Sequence, residues 1–484
     1  MRTYSPRPMQ IIDLSATELS FAIHQKRLSC SEVMQAYLDQ IDKVNPTYNA
    51  IISLLERETL MASAKEKDQQ LSKGEHIGWM HGMPIAIKDL ALTAGVVTTM
   101  GSRILKDFVP STDGLMVERI KKAGAIVIGK TNTPEFGLGS HTFNDLFGVT
   151  ANAFDASKSA GGSSGGAAVA LALKMLPIAD GSDFMGSLRN PAGWNNIFGM
   201  RPSIGRVPMY PSTEVYLSTL STEGPMARNV TDLAALLEVQ SGPDPRTPYA
   251  LSDSDGLLNL SSTLQDHPPL IRVGWLADLN GYLPFEDGVL EVCEKALKLF
   301  ARQSQTVRVE SINPRFDPRR VWQAWCTWRS TLMGARLGPY LIRPEHKALM
   351  KPEALWEYDQ AQGIEAKTLT QASVERTSFY QAMLEHFNHH DVLVLPTAQV
   401  WPFDKNWHWP KEIITPTGTV TMDTYHRWME VVIYATFAGL PCISVPAGFN
   451  QQGLPMGLQL IGKPRGDKEL LQIAHAFEKY SASK

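Results

Sequence analysis

The stretch from Ser159 to Arg189 reads SAGGSSGGAAVALALKMLPIADGSDFMGSLR. It holds two glycine-bracketed serine segments, GGSSGG at 161–166 and GSDFMGS at 181–187. Glycine is favoured where the backbone bends unusually or comes close to a ligand, because it has no Cβ to clash. The apolar run at 165–176 predicts a central, buried helix between the two segments. Two such serine sites around one buried helix indicate chemistry more than packing.

Strands and helices alternate around this stretch. Residues 83–89, MPIAIKD, and 125–129, AIVIG, predict strands, and 114–124 predicts the helix between them. This order is typical of an α/β unit. Amphipathic helices are expected over 10–75, where Ser29 and Glu32 are typical of a helix start. Further strands or helices are predicted at 271–276, 288–302, 391–396, 441–446, 457–462 and a closing segment through Tyr480.

The whole pattern predicts a single large α/β domain. It spans 1–484 without a repeat or a clear linker.

The composition of the chain excludes several classes of function. The chain has 484 residues, 43% hydrophobic and 20% charged, and a net charge of −3. This balance gives no basic surface for nucleic acid or anionic lipid and favours a small or neutral substrate. No apolar run approaches the length of a membrane span, and no secretory signal is evident. The four cysteines show no CxxC spacing, so we expect a cytoplasmic protein without a disulfide framework or a zinc site.

A serine attacks a carbonyl only when a base removes its proton, and a buried, deprotonated lysine can be that base. Lys88 ends an apolar strand, where a lysine is normally avoided. Taken singly, Lys88 has the alternative of an exposed strand end, and GGSSGG that of a flexible loop. The combination is more informative than either.

GGSSGG, followed by GSDxxGSxRxPA, resembles the signature of the amidase signature family of serine hydrolases. GMPIAIKD at 82–89 is similar to the family's lysine-bearing strand. The likeness extends over nearly the whole chain and is weakest over about 210–370; the other similar segments are AGAIVIGKTNTPEFG (123–137), FGMRPSIGRVP (198–208) and AGLPCISVPAGFNQQGLPMGLQLIG (438–462).

The resemblance implies an α/β fold with a mixed central β-sheet covered by helices on both faces. With it, the single domain divides into an N-terminal helical region (10–75), a catalytic signature region (80–208), a variable region on the substrate side (210–370) and a C-terminal core segment (390–484).

The resemblance also implies a Lys–Ser–Ser triad. Ser187 matches the nucleophile, Ser163 the bridging serine and Lys88 the base. It also implies a cis peptide bond between Gly162 and Ser163. No metal or cofactor is implied.

The same resemblance implies an oxyanion hole formed by the backbone N–H groups of the nucleophile loop. Asp183 and Arg189 are expected to hold that loop in shape. Ser164 has two alternatives, capping the following helix or bonding to the proton relay. The predicted oxyanion donors are Phe184, Met185, Gly186 and Ser187.

One residue of the nucleophile loop departs from the family pattern. The family usually has two glycines before the nucleophile, whereas this chain has Met185 followed by Gly186. Either the position of Met185 needs no positive φ, or the loop differs.

Tryptophans recur at 322, 325 and 328. They form either a core stripe on a helix or an aromatic wall for a hydrophobic or aryl substrate.

The implied function is amide hydrolysis through a Ser187 acyl-enzyme, with release of ammonia or an amine. The alternatives are a carbamate or aryl-amide hydrolase with the same triad, the amidase subunit of a tRNA-dependent amidotransferase, and a catalytically inactive binding protein. The expected partner is a small-molecule amide or carbamate, with no nucleic acid and no membrane. A homodimer is left open.

Overall fold

The computed structural model describes residues 10–75, 77–252, 260–304 and 306–481. Its α-helices are α1 (Ala16–His24), α2 (Cys30–Tyr48), α3 (Arg57–Ser72), α4 (Leu115–Lys122), α5 (Gly165–Ala172), α6 (Asn190–Trp194), α7 (Val230–Gln240), α8 (Val289–Gln303), α9 (Pro318–Leu341), α10 (Pro344–Lys347), α11 (Pro352–Ala361), α12 (Ala366–Phe387), α13 (Ile433–Ala438) and α14 (Asp467–Ser481). Its strands are β1 (Ile51–Ile52), β2 (Pro84–Lys88), β3 (Ile126–Thr131), β4 (Phe143–Asn144), β5 (Gly148–Val149), β6 (Ala179–Asp183), β7 (Phe198–Arg201), β8 (Thr222–Ala227), β9 (Ile271–Trp275), β10 (Val307–Ser311), β11 (Val392–Pro396), β12 (Glu412–Thr415), β13 (Gly418–Thr421), β14 (Cys442–Phe449) and β15 (Pro455–Ile461).

Eight strands form the central sheet, in the order β10-β9-β11-β15-β14-β7-β8-β6. The β10–β9 and β9–β11 pairs are parallel, and the remaining pairs are antiparallel. Helices such as α8 and α14 pack against it, and its inner strands, for example β11, are buried along their whole length. The prediction of a single α/β domain with a mixed central sheet is therefore confirmed.

The strand–helix–strand unit of β2, α4 and β3 forms a second, smaller sheet with β1. Here β2 and β3 run parallel, as expected for strands joined through a helix, and β1 pairs antiparallel to β3. Sequence reasoning had not separated this unit from the central sheet. The end of β2 reaches the central sheet at its edge strand, where the Lys88 N–H donates to an Asp180 carboxylate oxygen on β6 at 3.1 Å.

Helix α5 lies between these layers and is buried from Gly165 to Leu171. Gly166 has to be glycine, because a Cβ there would overlap the backbone nitrogen of Asn132. The helix ends at Ala172, earlier than the predicted 176, and Lys174 then takes a left-handed φ of 59°.

The N-terminal region folds as the predicted amphipathic helices. Ser29 caps α2 by accepting from the Glu32 N–H, and Glu32 bonds back to the Ser29 N–H, a reciprocal capping box. In the part of the chain that the structure describes, no helix combines the length and the apolar character needed to cross a bilayer.

Candidate active site

Lys88, the last residue of β2, points into the protein with only 1% of its surface exposed. Its Nζ lies 2.8 Å from the Ser163 Oγ, 2.7 Å from the Ser164 Oγ and 3.0 Å from the Ser182 Oγ. The sequence-based candidates Lys88, Ser163 and Ser164 therefore meet around one amine. Ser182 also contacts this amine and was missed, since a serine between glycine and aspartate gave no separate signal.

Burial lowers the pKa of Lys88 from its usual value to about 7. The carboxylates of Asp180 and Asp183 oppose this shift, and the positive charge of Arg336 adds to it. A substantial fraction of Lys88 is thus neutral near neutral pH. A neutral amine can accept a proton, which an ordinary surface lysine rarely does.

Ser163 follows a cis peptide bond from Gly162, as the resemblance implied. The next residue brings the two serine segments together, because the Ser164 N–H donates to the Ser187 carbonyl oxygen at 3.3 Å. Ser164 makes no side-chain cap on α5, so its hydroxyl bonds to Lys88 rather than to the helix start.

Ser187 is 6% exposed and borders a cavity. In the described parts of the chain its hydroxyl has no hydrogen-bond partner, and none joins it directly to the Ser163 hydroxyl. No hydrogen bond within the described residues therefore holds the Ser187 hydroxyl away from the cavity that it lines.

The loop that follows β6 presents several backbone N–H groups beside Ser187. The N–H groups of Phe184, Met185 and Ser187 have no partner among the described residues. The Gly186 N–H, predicted as a fourth donor, is instead engaged by an Asp183 carboxylate oxygen at 2.9 Å. Three of the four predicted donors are thus free in this conformation.

Asp183 and Arg189 form a buried ion pair under this loop. The Arg189 Nε and Nη2 bond to the two Asp183 oxygens, each at 3.0 Å. Burial alone would raise the pKa of Asp183, but the adjacent Arg189 guanidinium holds it well below its usual value. Arg189 also donates to the Val432 carbonyl at 2.8 Å and to the Gln459 amide oxygen at 2.6 Å. The pair thereby ties the loop to the segment before α13 and to β15.

The Met185-Gly186 pair needs a left-handed backbone at only one of its two positions. Gly186 takes a φ of +79°, and Met185 has no positive φ. Only the second position requires glycine, and there a Cβ would lie 2.6 Å from the Val432 Cγ2. Met185 is buried and places its Sδ 3.8 Å from the Arg329 Nη1, while the Phe184 ring lies 5.8 Å from that of Trp325.

The cavity at Ser187 is small, with a volume of about 20 Å³. Helix α9 covers it with residues that sequence reasoning did not single out, Arg329, Met333 and Arg336, spaced along one helical face. The tryptophans at 322, 325 and 328 are buried on this helix, and none lines this cavity. Their arrangement fits a core stripe, with Trp325 in contact with the loop. The remaining lining residues are Phe136, Gly137, Leu138, Gly139, Ser140, Phe184, Met185 and Met429.

A much larger groove of about 1,910 Å³ lies elsewhere and includes none of the predicted site residues. The two cavities approach each other at Tyr425, which lines the groove and whose hydroxyl accepts from Arg329 at 2.6 Å. The Ser187 hydroxyl lines the small cavity and not the groove, so the small cavity is the candidate active site.

Comparisons with known proteins show the family to which the chain belongs. The model of the family described as Amidase matches residues 32–471. The chain belongs to the amidase family. The match contains both serine segments, the lysine-bearing strand and the covering helix α9.

This amidase-family chain is similar to a subunit of the glutamyl-tRNA(Gln) amidotransferase of Thermosynechococcus vestitus, with 33% identity over 95% of this chain and 96% of the relative. Among solved structures it resembles a bacterial aryl acylamidase of the amidase signature family, with a TM-score of 0.88 and 28% identity over 97% of this chain and 96% of the other. The corresponding amidotransferase subunit of Thermotoga maritima has a TM-score of 0.71 and 27% identity, with 98% and 96% covered. The protein is therefore an amidase signature enzyme, a class that acts on C–N bonds.

Proposed function

We propose that this enzyme hydrolyses a carboxylic amide through an acyl-enzyme on Ser187. The observation that carries the proposal is the buried Lys88 amine, with a pKa of about 7, hydrogen-bonded to the Ser163 hydroxyl at 2.8 Å. That contact gives a base and a relay next to the serine that faces the cavity. A lysine at an exposed strand end would offer neither.

In the proposed first step, the Ser187 proton passes to the Ser163 oxygen as the Ser163 proton passes to Lys88. The Ser187 oxygen attacks the amide carbonyl carbon at the same time. The Ser163 and Ser187 hydroxyls are not hydrogen-bonded to each other in this structure, and catalytic contacts of this kind often form only in the substrate complex. The proton on Lys88 then returns through Ser163 to the leaving nitrogen as the C–N bond breaks.

The free N–H groups of Phe184, Met185 and Ser187 are the proposed oxyanion hole. Removing one well-placed donor of this kind lowers kcat by a factor of about 10² to 10³. Asp183 and Arg189 act by holding the loop, since the ion pair fixes the Gly186 and Leu188 N–H groups and leaves the other donors free. Water, activated by the same relay, completes the cycle by releasing the acyl group.

Within amides, we favour an aryl amide as the substrate. The fold agrees more closely with the aryl acylamidase (TM-score 0.88) than with the Thermotoga maritima amidotransferase subunit (0.71). The apolar side chains of Phe136, Met333 and Met429 at the cavity suit a hydrophobic group. An aryl carbamate presents the same kind of carbonyl and remains the related alternative.

The second candidate function is that of the amidase subunit of a tRNA-dependent amidotransferase. Its support is the 33% identity to the Thermosynechococcus vestitus protein over 95% of the chain. That function requires glutamine as the ammonia source and partner subunits. The expected cytoplasmic location is part of either proposal and stays a prediction.

A substrate panel tests these proposals. Purified protein is assayed with primary amides, anilides, aryl carbamates and glutamine, and Ser187→Ala serves as the matched control. We expect anilide hydrolysis that Ser187→Ala abolishes. If glutamine is the only substrate turned over, or if turnover requires added partner subunits, the second candidate function is favoured. No turnover of any substrate and no acyl adduct would contradict both.

A further inference from the structure

Helix α9 places two arginines over the cavity at Ser187. Arg329, Met333 and Arg336 are four and then three residues apart, so they lie on one helical face, and all three line this cavity with Ser187. No aspartate or glutamate is among the described residues that line it. The charge presented to a ligand there is therefore positive.

The two arginines are not equivalent. The Arg329 Nε lies 2.6 Å from a Glu357 carboxylate oxygen, and its Nη2 lies 2.6 Å from the Tyr425 hydroxyl. This side chain is buried, and its charge is neutralised by an ion pair within the protein. The ion pair of Arg329 therefore holds α9 against α11.

Arg336, in contrast, is exposed and makes no ion pair or hydrogen bond with any of the described residues. Arg336 lines the same cavity as Ser187, and its charge adds to the larger effect of burial in lowering the pKa of Lys88. A guanidinium presents paired N–H donors that match both oxygens of a carboxylate. An unpaired arginine next to a nucleophile is a ready site for an anionic group of the substrate.

We propose that Arg336 binds a carboxylate of the substrate, so that the preferred substrates are amides that also carry a carboxylate near the scissile bond. This inference rests on the proposed function and specifies its substrate class. The thioether side chains of Met333 and Met429 beside Arg336 adapt their shape easily, which lets the small cavity open around such a ligand.

The test compares matched 4-nitroanilides. The monoanilides of succinic and glutaric acid carry a terminal carboxylate, and in their neutral counterparts an isopropyl group replaces it. Assays of kcat and KM use the wild-type protein, Arg336→Gln and Arg336→Lys. Arg343→Gln is the matched control, because Arg343 is also exposed and unpaired among the described residues but does not line the cavity.

We expect the wild-type protein to prefer a carboxylated anilide by about 10- to 100-fold in kcat/KM, mainly through KM. Arg336→Gln should bring this ratio close to one, Arg336→Lys should retain part of it, and Arg343→Gln should leave it unchanged. No preference in the wild-type protein, or an equal loss on both kinds of anilide in Arg336→Gln, would overturn the inference. If only the inference fails, neutral anilides are still hydrolysed; if the proposed function fails, neither kind is.

Discussion

At the scale of single residues, the site depends on a lysine that the fold keeps out of water. Lys88 is surrounded by three serine hydroxyls and is almost completely buried. Taking an ammonium ion out of water is costly, so the neutral amine is favoured. Burial of a lysine is unfavourable in an ordinary core, whereas in the proposed mechanism it makes Lys88 a base near neutral pH.

The pKa of Lys88 predicts the pH dependence of activity. Because the pKa is lowered to about 7 and the neutral amine is the active form, kcat/KM should be constant above that pH. Below it, kcat/KM should fall about tenfold per pH unit as Lys88 becomes protonated. Lys88→Arg, which stays charged, should be inactive at every pH. A pH–rate profile of the wild-type protein that is flat down to pH 5 would show that Lys88 is not the base.

The two serines on Lys88 should differ in their importance. Ser163→Ala removes the proposed relay and should lower kcat by about 10² to 10⁴. Ser164→Ala removes a hydrogen bond to the same amine without removing the relay, so a loss of about tenfold is expected. Both variants should keep the wild-type circular dichroism spectrum. Equal losses in the two variants would contradict the assignment of Ser163 as the relay.

At this scale, sequence reasoning identified Lys88, Ser163 and Ser187 from motifs that lie far apart in the chain. It did not identify Ser182, Arg329 or Arg336, because their relation to the site arises only from tertiary packing. Nor could it tell that the Gly186 N–H is engaged by Asp183, since that depends on where one carboxylate points.

At the scale of elements, the loop after β6 depends on one glycine. Gly186 has a φ of +79° and no space for a Cβ beside Val432. Gly453 shares the φ of +79° and has no atom within 4 Å of an added Cβ, so it isolates the cost of the φ alone.

Gly453→Ala should lower the free energy of unfolding by about 1 to 2 kcal/mol and leave kcat unchanged. Gly186→Ala should lower the free energy of unfolding further than Gly453→Ala does. It should also reduce kcat/KM by at least about tenfold, because the proposed oxyanion donors shift. Thermal unfolding and steady-state kinetics measure the two effects. Equal behaviour of both variants would mean that the contact with Val432 does not shape the loop.

The elements were predicted well where the hydrophobic pattern was strong. The strands β2, β3, β9, β11, β14 and β15 lie within a few residues of the predicted bounds. The separate sheet formed by β1, β2 and β3 was not foreseen, because strand pairing is decided by long-range packing that a local pattern does not encode. For the same reason a helical stripe was one of two alternatives for the tryptophans at 322, 325 and 328, but α9 was not foreseen as the cover of the cavity.

At the scale of the whole molecule, the fold joins two sheets around α5 and brings β2 to the edge strand β6. Lys88, the proposed base, therefore comes from one sheet, and the loop with Ser187, the proposed nucleophile, follows a strand of the other. This architecture is shared with both the aryl acylamidase and the Thermotoga maritima amidotransferase subunit, although the fold agrees more closely with the former.

Activity of the isolated chain separates these two functions. We expect the purified protein to hydrolyse anilides without any other subunit, with the same specific activity at all protein concentrations. Kinetics combined with light scattering check this and also report whether a homodimer forms. Activity that appears only after other subunits are added would contradict the prediction.

The central claim is that Ser187 carries the acyl group. The most direct test is mass spectrometry of the intact protein and its peptides after treatment with a probe for nucleophilic serines, such as a fluorophosphonate. We predict one adduct, on Ser187, in the wild-type protein, none in Ser187→Ala, and much slower labelling in Lys88→Ala. An adduct on another serine, or anilide turnover by Ser187→Ala close to that of the wild-type protein, would contradict the claim.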